Sequence, residues 1–379
     1  MSKYNIAILP GDGIGKDVVD ATIRVFDAIG FSEKADFSWG DIGWEFWCKE
    51  GNPLPDRTIE LLKNTDCALF GAITSKPKEE ADLELSSNLK EKGLVYFSPI
   101  VKLRQMFDLY INQRPCKAYP NNPINFQDNI DLIVFRENTE GLYVGIEWHP
   151  VPQEVMSTFI KNHPKAKRFE NVSLDDIAIS TRIFTRDGVR RILKSSMDYA
   201  KEFGYTTVTV VEKPNVIRET SGLMIREARK LIKEYEGIEL WETNIDAMTM
   251  WLVKNPENYG VMVSSNMFGD IISDLAAQLI GGLGFASSGN LGKDFAVFEP
   301  THGSAPKYVG MNKVNPIACI LAGKMMLDWL GEKEMASLVD KAIAEVISEG
   351  KARTYDMGGD TTTSDMADAI CKKIEKLKL

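Results

Sequence analysis

Apolar and polar positions follow two periods along the chain. Short apolar runs alternate with longer stretches in which apolar residues return every three or four positions. Residues 4–9 predict a buried strand, and residues 16–28 a helix with Val18, Val19, Ile23 and Phe26 on its apolar face. The alternation continues with a helix at 56–63, a strand at 67–70, a short helix at 101–107, an extended run at 108–115, and strands at 130–135 and 141–147. A polar loop spans 74–89, and loops of that length usually have a function. After a proline- and lysine-rich excursion at 149–171, the pattern resumes. It reads as strand 177–182, helix 186–203, strand 206–212, helix 222–235, strand 238–242, helix 245–253 and strand 260–263. A helix opens at Asn266 and runs through Ile280, followed by a strand at 295–298, a Gly/Pro-rich loop at 299–316 and helices at 317–330, 335–348 and 365–377. Strands alternating with helices imply an α/β fold with a largely parallel sheet.

At 379 residues the chain exceeds one ordinary core, so two domains are expected. The formal net charge of -9 argues against a nucleic-acid surface, and an anionic substrate would need a local cluster of arginines. No apolar stretch approaches the ~20 residues needed to span a bilayer. The first residues pass directly into a strand-like run, so a cytoplasmic protein is expected, without membrane or nucleic-acid partners. Cys48, Cys67, Cys116, Cys319 and Cys371 lack metal or redox spacing and suggest free thiols in a reducing compartment.

Asp270 and Asp274 lie four residues apart on the helix that opens at Asn266, where like charges repel and a cation is favoured between them. Oxygen ligands select a hard divalent ion such as Mg²⁺ or Mn²⁺. The alternative is two solvated acids near a helix start, where negative charge is favoured in any case. Arg104, Arg114 and Arg136 would suit a di- or tricarboxylate if they converge, since guanidinium forks match carboxylates; scattered surface ion pairs are the other reading. Tyr143 and Lys213 are candidate proton-transfer groups, and Asp246 is either a third metal ligand or a helix cap. The run Gly11-Asp12-Gly13-Ile14-Gly15 fails the dinucleotide fingerprint, because Lys16 stands where the third glycine belongs.

Asn266 to Asp274, the run Arg136-Glu137-Asn138-Thr139-Glu140-Gly141-Leu142-Tyr143, and Glu299 to Tyr308 with Asn315-Pro316 together resemble the β-decarboxylating dehydrogenases of 2-hydroxy acids. That group comprises isocitrate, 3-isopropylmalate, homoisocitrate and tartrate-type enzymes, and the likeness covers nearly the whole chain. It implies an isocitrate/isopropylmalate dehydrogenase-like two-domain α/β fold with a mostly parallel sheet in the large domain. Residues 1–109 and 281–379 would form that nucleotide-binding domain. Residues 110–140 and 186–280 would form a smaller dimerising domain, and 141–185 a clasp. The resemblance also implies a homodimer with shared active sites.

By position, the resemblance makes Arg104, Arg114 and Arg136 the carboxylate-binding arginines, Tyr143 the acid that reprotonates the enol and Lys213 the base. It makes Asp246, Asp270 and Asp274 the ligands of Mg²⁺ or Mn²⁺, with Lys213 and Asp246 supplied by the neighbouring subunit. Thr74, Asn215, His302, Gly303, Lys307, Tyr308, Asn315 and Tyr355 match nucleotide contacts. Ser98 matches the serine that bonds the γ-carboxylate in isocitrate enzymes, which favours isocitrate. Ile100 stands where that pattern has asparagine, so homoisocitrate and isopropylmalate remain alternatives. Lys307-Tyr308 and Tyr355 resemble the NADP type, whereas Gly359 replaces that type's arginine and keeps NAD open. Non-catalytic regulatory members typically lose the tyrosine, the lysine or a metal aspartate, and all are present here.

Overall fold

The computed structural model describes residues 3–378, so Met1, Ser2 and Leu379, which fall within the expected first and last domain spans, lie outside the described residues. β1 (Tyr4–Gly11) carries Ile6, Ala7, Ile8 and Leu9, all buried, as a strand covered on both faces requires. It turns into α1 (Gly15–Ile29), whose buried Val18, Thr22, Val25 and Phe26 fall at helical spacing. β2 (Ala35–Trp39), α2 (Trp44–Glu50), α3 (Asp56–Lys63), β3 (Cys67–Ala72), α4 (Lys78–Leu83), α5 (Pro99–Met106), β4 (Ile111–Lys117) and β5 (Asp131–Glu137) follow. An arm then leaves the sheet: β6 (Glu147–Trp148) pairs with β7 (Ile179–Ser180), and α6 (Gln153–Asn162) lies between them. The chain returns through α7 (Arg186–Phe203), β8 (Thr207–Glu212), α8 (Thr220–Leu231), β9 (Glu239–Asn244), α9 (Ile245–Lys254), β10 (Val261–Ser264) and α10 (Asn266–Leu279). It closes with β11 (Ser287–Leu291), β12 (Ala296–Pro300), α11 (Ile317–Trp329), α12 (Lys333–Glu349) and α13 (Thr363–Leu377).

Ten strands form one sheet in the order β2-β1-β3-β12-β11-β4-β5-β10-β8-β9. The strands β2, β1, β3 and β12 are mutually parallel, as are β5, β10, β8 and β9. The antiparallel pairs β12–β11, β11–β4 and β4–β5 join the two sets, which therefore run in opposite directions. Helices cover both faces. The largest apolar core packs α1, α11, α12 and α13 against the first set and continues under α9 and α10, a second lies beneath α7 and α8, and a third beneath α3 and α5. No helix among the described residues is long and apolar enough to cross a membrane.

Several expectations change. The strand expected at 141–147 is a turn of 3₁₀ helix at Leu142–Val144, because Gly141 and Gly145 take φ of 92° and 75°, outside the strand region. The excursion at 149–171 contains α6, whose periodicity is hidden because only Met156 is buried. The loop at 74–89 contains α4, and β2, α2 and β11 had no counterpart among the expected elements.

Candidate active site

The antiparallel pairing of β4 with β5 places Asn112 opposite Arg136 and Arg114 opposite Val134. Side chains two apart on one strand share a face, so Asn112, Arg114 and Arg136 point the same way. α10 lies over that face. Arg114 Nη1 donates to Asp274 Oδ1 and to Ser273 Oγ, both at 2.8 Å, and its Nη2 is 3.2 Å from Asp270 Oδ1. Arg136 is paired directly with Asp270 and reaches Asn266 Oδ1 through Nε and Nη2 at 3.0 and 2.8 Å. Arg104, from the last turn of α5, donates to Asn290 Oδ1 at 2.9 Å and Glu299 Oε1 at 3.1 Å. The three arginines do converge.

Their charges interact. Burial, and after it the neighbouring Arg104 and Arg114, pushes the Arg136 guanidinium down to about 9, while Asp270 opposes the shift. Burial also lowers Arg104 against the pull of Glu299. Tyr143 lies beside this cluster, with its hydroxyl 3.3 Å from Asp270 Oδ2 and its ring 5.5 Å from the Arg136 guanidinium. Partial burial, followed by the Asp270 charge, raises its hydroxyl above the usual tyrosine range and keeps it a proton donor.

A belt of buried amides and acids fixes the arginines, and sequence reasoning gave these residues no role. Asn112 Nδ2 donates to Ser288 Oγ and Asn290 Oδ1 at 2.7 and 2.9 Å, and its own Oδ1 accepts from Arg114 Nε at 2.7 Å. Asn290 Nδ2 donates to Glu299 Oε1 at 2.7 Å. The available signal was period two: Asn112 and Arg114 are alternate positions of one strand and so share a face. Ser98 stands at the N-cap position of α5 without bonding the helix through its hydroxyl, and Ile100 is buried two residues on.

Lys213 and Asp246 lie elsewhere, the first just after β8 and the second in the first turn of α9, which follows the paired strand β9, and they contact each other. Among the described residues no group of three histidines, cysteines or acids is placed to hold a metal ion. Asp270 and Asp274 offer carboxylate oxygens of the kind a hard cation takes, and here both are paired with arginines.

A cavity of about 580 Å³ opens between the glycine run after α10, the loop after β12 and Tyr355. Its lining includes Gly284, His302, Gly303, Asn315, Tyr355 and Ile14. His302 Nδ1 is 3.0 Å from Gly303 O, and its Nε2 is buried without a partner. Burial lowers the imidazole, so it is held neutral, with Nε2 free to accept. At Gly303 a Cβ would meet only Ile73 O at 3.8 Å, which leaves space for a flat ring. These residues fit a nucleotide. Thr74 bonds Ser304 Oγ at 2.6 Å beside this loop, Asn315 caps α11 through Ile317 N and bonds Asp356, and Lys307 lies 5.0 Å from the ring of Tyr308, which packs on Tyr355. Asn215 is exposed in the segment after β8 and lines neither cavity. Ile14 N donates to Ser304 O at 3.0 Å, so the early glycine turn supports the loop and the declined fingerprint has a packing role. A second cavity of about 160 Å³ is lined by Ile100, Arg104, Arg114 and Glu299, and it shares His302 and Gly303 with the first.

A family model described as isocitrate/isopropylmalate dehydrogenase matches residues 5–370. Protein DlpA of Legionella pneumophila is 39% identical over 374 residues, covering 98% of this chain; the chain spans 59% of that relative's length. Homoisocitrate dehydrogenase of Methanocaldococcus jannaschii is 39% identical over 381 residues, covering 98% of both chains. The crystal structure of isocitrate dehydrogenase from Methylococcus capsulatus superposes with a TM-score of 0.84 at 36% identity, covering 98% of this chain and 99% of that one.

Proposed function

The chain belongs to the isocitrate/isopropylmalate dehydrogenase family, and on that premise we propose that it oxidises isocitrate at C2 with NADP and releases the β-carboxyl as CO₂. The observation that carries this reading is the cluster of Arg104, Arg114 and Arg136, the first paired with Glu299 and the other two with Asp274 and Asp270, beside a small cavity that shares His302 and Gly303 with the nucleotide-sized one. In the chain as it stands, the arginines are neutralised by Glu299, Asp270 and Asp274. With the two aspartates engaged by a cation, Arg114 and Arg136 would need other anions, which a tricarboxylate would supply. Asp270 and Asp274, with Asp246 from a second copy, would hold Mg²⁺ or Mn²⁺, which when bound would supply Lewis acidity at the hydroxyl oxygen.

The remaining steps belong to side chains. Lys213, offered by the second copy, accepts the C2 hydroxyl proton, and a bound nicotinamide would supply the acceptor for the C2 hydride. The arginines hold the acid as the C–CO₂ bond breaks and its electron pair enters the enol. Tyr143, kept protonated by its surroundings, returns a proton to that carbon. A homodimer with composite sites follows from this division of labour. On the same reading, 1–109 with 281–379 form the nucleotide domain, 110–140 with 186–280 the smaller domain and 141–185 the clasp. Thr74, Asn215, His302, Gly303, Asn315 and Tyr355 hold the nucleotide, and Lys307 with Tyr308 meets a 2′-phosphate, with NAD the alternative.

Homoisocitrate is the second reading. Ile100 gives the small cavity an apolar wall where an asparagine would offer hydrogen bonds, which suits an acid longer by one methylene. The test is an assay of isocitrate, homoisocitrate and 3-isopropylmalate with each nucleotide. The highest kcat/KM is expected for isocitrate with NADP, and a value for isocitrate about tenfold below either rival overturns the substrate assignment.

A further inference from the structure

Arg182 leaves the arm just before α7 and crosses to the end of β8. Its Nη2 donates to Glu212 Oε2 and Oε1 at 3.0 and 3.3 Å and to Ser265 Oγ at 2.6 Å. Its Nη1 donates to Ser221 Oγ and Thr220 Oγ1 at 3.1 and 3.3 Å. The rings of Phe184 and Phe268 lie 4.6 and 4.8 Å from the guanidinium carbon and hold the fork by cation–π contact. Glu212 is wholly buried. It accepts the backbone N–H of Ser265, the N-cap residue of α10, at 3.0 Å, and the hydroxyl of Ser221. Ser221 Oγ in turn accepts the backbone N–H of Lys213 at 3.3 Å.

One ion pair thus ties three places: the start of α10, and both ends of the segment 213–219 that carries Lys213 and Asn215. A buried pair of this kind adds little net stability, because desolvation offsets the attraction, so its effect lies in the geometry it specifies. We propose that Arg182 and Glu212 are positioning residues that hold Lys213 and its following segment in fixed register with the acid-bearing helix α10. The inference rests on the reading of Lys213 as the base. Since Lys213 would serve the second copy's cleft while Asp270 serves its own, the pair also sets the relative geometry of the two clefts of a dimer.

The test uses the full-length protein. Arg182→Gln/Glu212→Gln removes both charges together, so that neither is left buried alone, and Ser221→Ala removes only the hydroxyl beneath Lys213. Expected are a kcat reduced about tenfold in the double variant and about threefold in Ser221→Ala, with KM for the acid within about twofold, since misplacement of a reacting group lowers turnover more than binding. Amide exchange across 213–219, measured without metal or acid, is expected to quicken in both. Wild-type kcat and exchange in Ser221→Ala overturn the proposal, whatever the stability of the double variant, and so does a loss confined to KM. Lys213→Met separates the two claims. Undiminished turnover there retires the base assignment itself, whereas abolished turnover there beside wild-type kcat in Ser221→Ala removes only the positioning role.

Discussion

Gly269 of α10 lies directly against Arg136 of β5: a Cβ at position 269 would stand 2.8 Å from both Cβ and Cγ of Arg136. This close approach lets the next residue, Asp270, reach the Arg136 guanidinium. Gly269→Ala gains about 1 kcal/mol of helix propensity, but overpacking at a contact this short costs about 1–3 kcal/mol and lifts α10 from the sheet. The variant is expected to melt a few degrees lower and to lose about tenfold in kcat/KM. Thermal melting together with steady-state kinetics checks both, and unchanged kinetics would show that the contact does not set the distance from Asp270 to Arg136.

Asp270→Asn tests the cation site. The substitution preserves volume but removes the charge that Arg136 and Arg114 share and that Tyr143 faces. Turnover is expected to fall by roughly a hundredfold or more at every Mn²⁺ concentration, with an unchanged circular dichroism spectrum. Wild-type metal dependence in this variant would remove Asp270 from the ligand set.

The nucleotide assignment turns on Lys307, whose ammonium group lies over Tyr308. Lys307→Asp replaces a cation suited to a 2′-phosphate with an acid suited to the ribose hydroxyls, so the ratio of kcat/KM for NADP over NAD is expected to fall by about tenfold or more. A ratio equal to the wild type's would mean that Lys307 does not meet the phosphate.

His302 gives a pH dependence with a definite sign. Its folded pKa lies below the ordinary 6.5 because burial disfavours the imidazolium. The unfolded chain therefore takes up a proton below about 6.5 that the folded chain refuses, so this group's contribution to stability is complete above that pH and is lost as pH falls. Denaturant unfolding between pH 7.5 and 5 is expected to show a steeper decline for the wild type than for His302→Asn. Parallel slopes would contradict the burial of Nε2.

Much of the fold was legible from periodicity. The apolar face of α7, with Val189, Ile192, Leu193 and Met197 buried, is a pattern that only a one-sided helix produces, and its expected bounds match the observed ones. β11 was not legible, because Ser287-Ser288-Gly289-Asn290 lacks apolar alternation. It is a strand paired with β4 and β12, where Ser288 accepts from Asn112 and Asn290 donates to Glu299, a tertiary cause with no local signature. The same distinction holds at the site. The spacing of Asp270 and Asp274 was visible as one helix face, and the structure pairs both with arginines. Asn112 and Asn290 were silent, and Glu299 was visible only as the first residue of a loop motif, because their roles depend on strands distant in sequence. Lys213 and Asp246 meet each other but not Asp270.

The most direct measurement follows two products at once: reduced nucleotide by absorbance and CO₂ by trapping, with isocitrate, NADP and Mn²⁺ present. One mole of CO₂ is expected for each mole of NADPH, with both lost when the ion is chelated. Reduced nucleotide formed without CO₂, or no turnover of any of the three candidate acids, would contradict oxidative decarboxylation by this site.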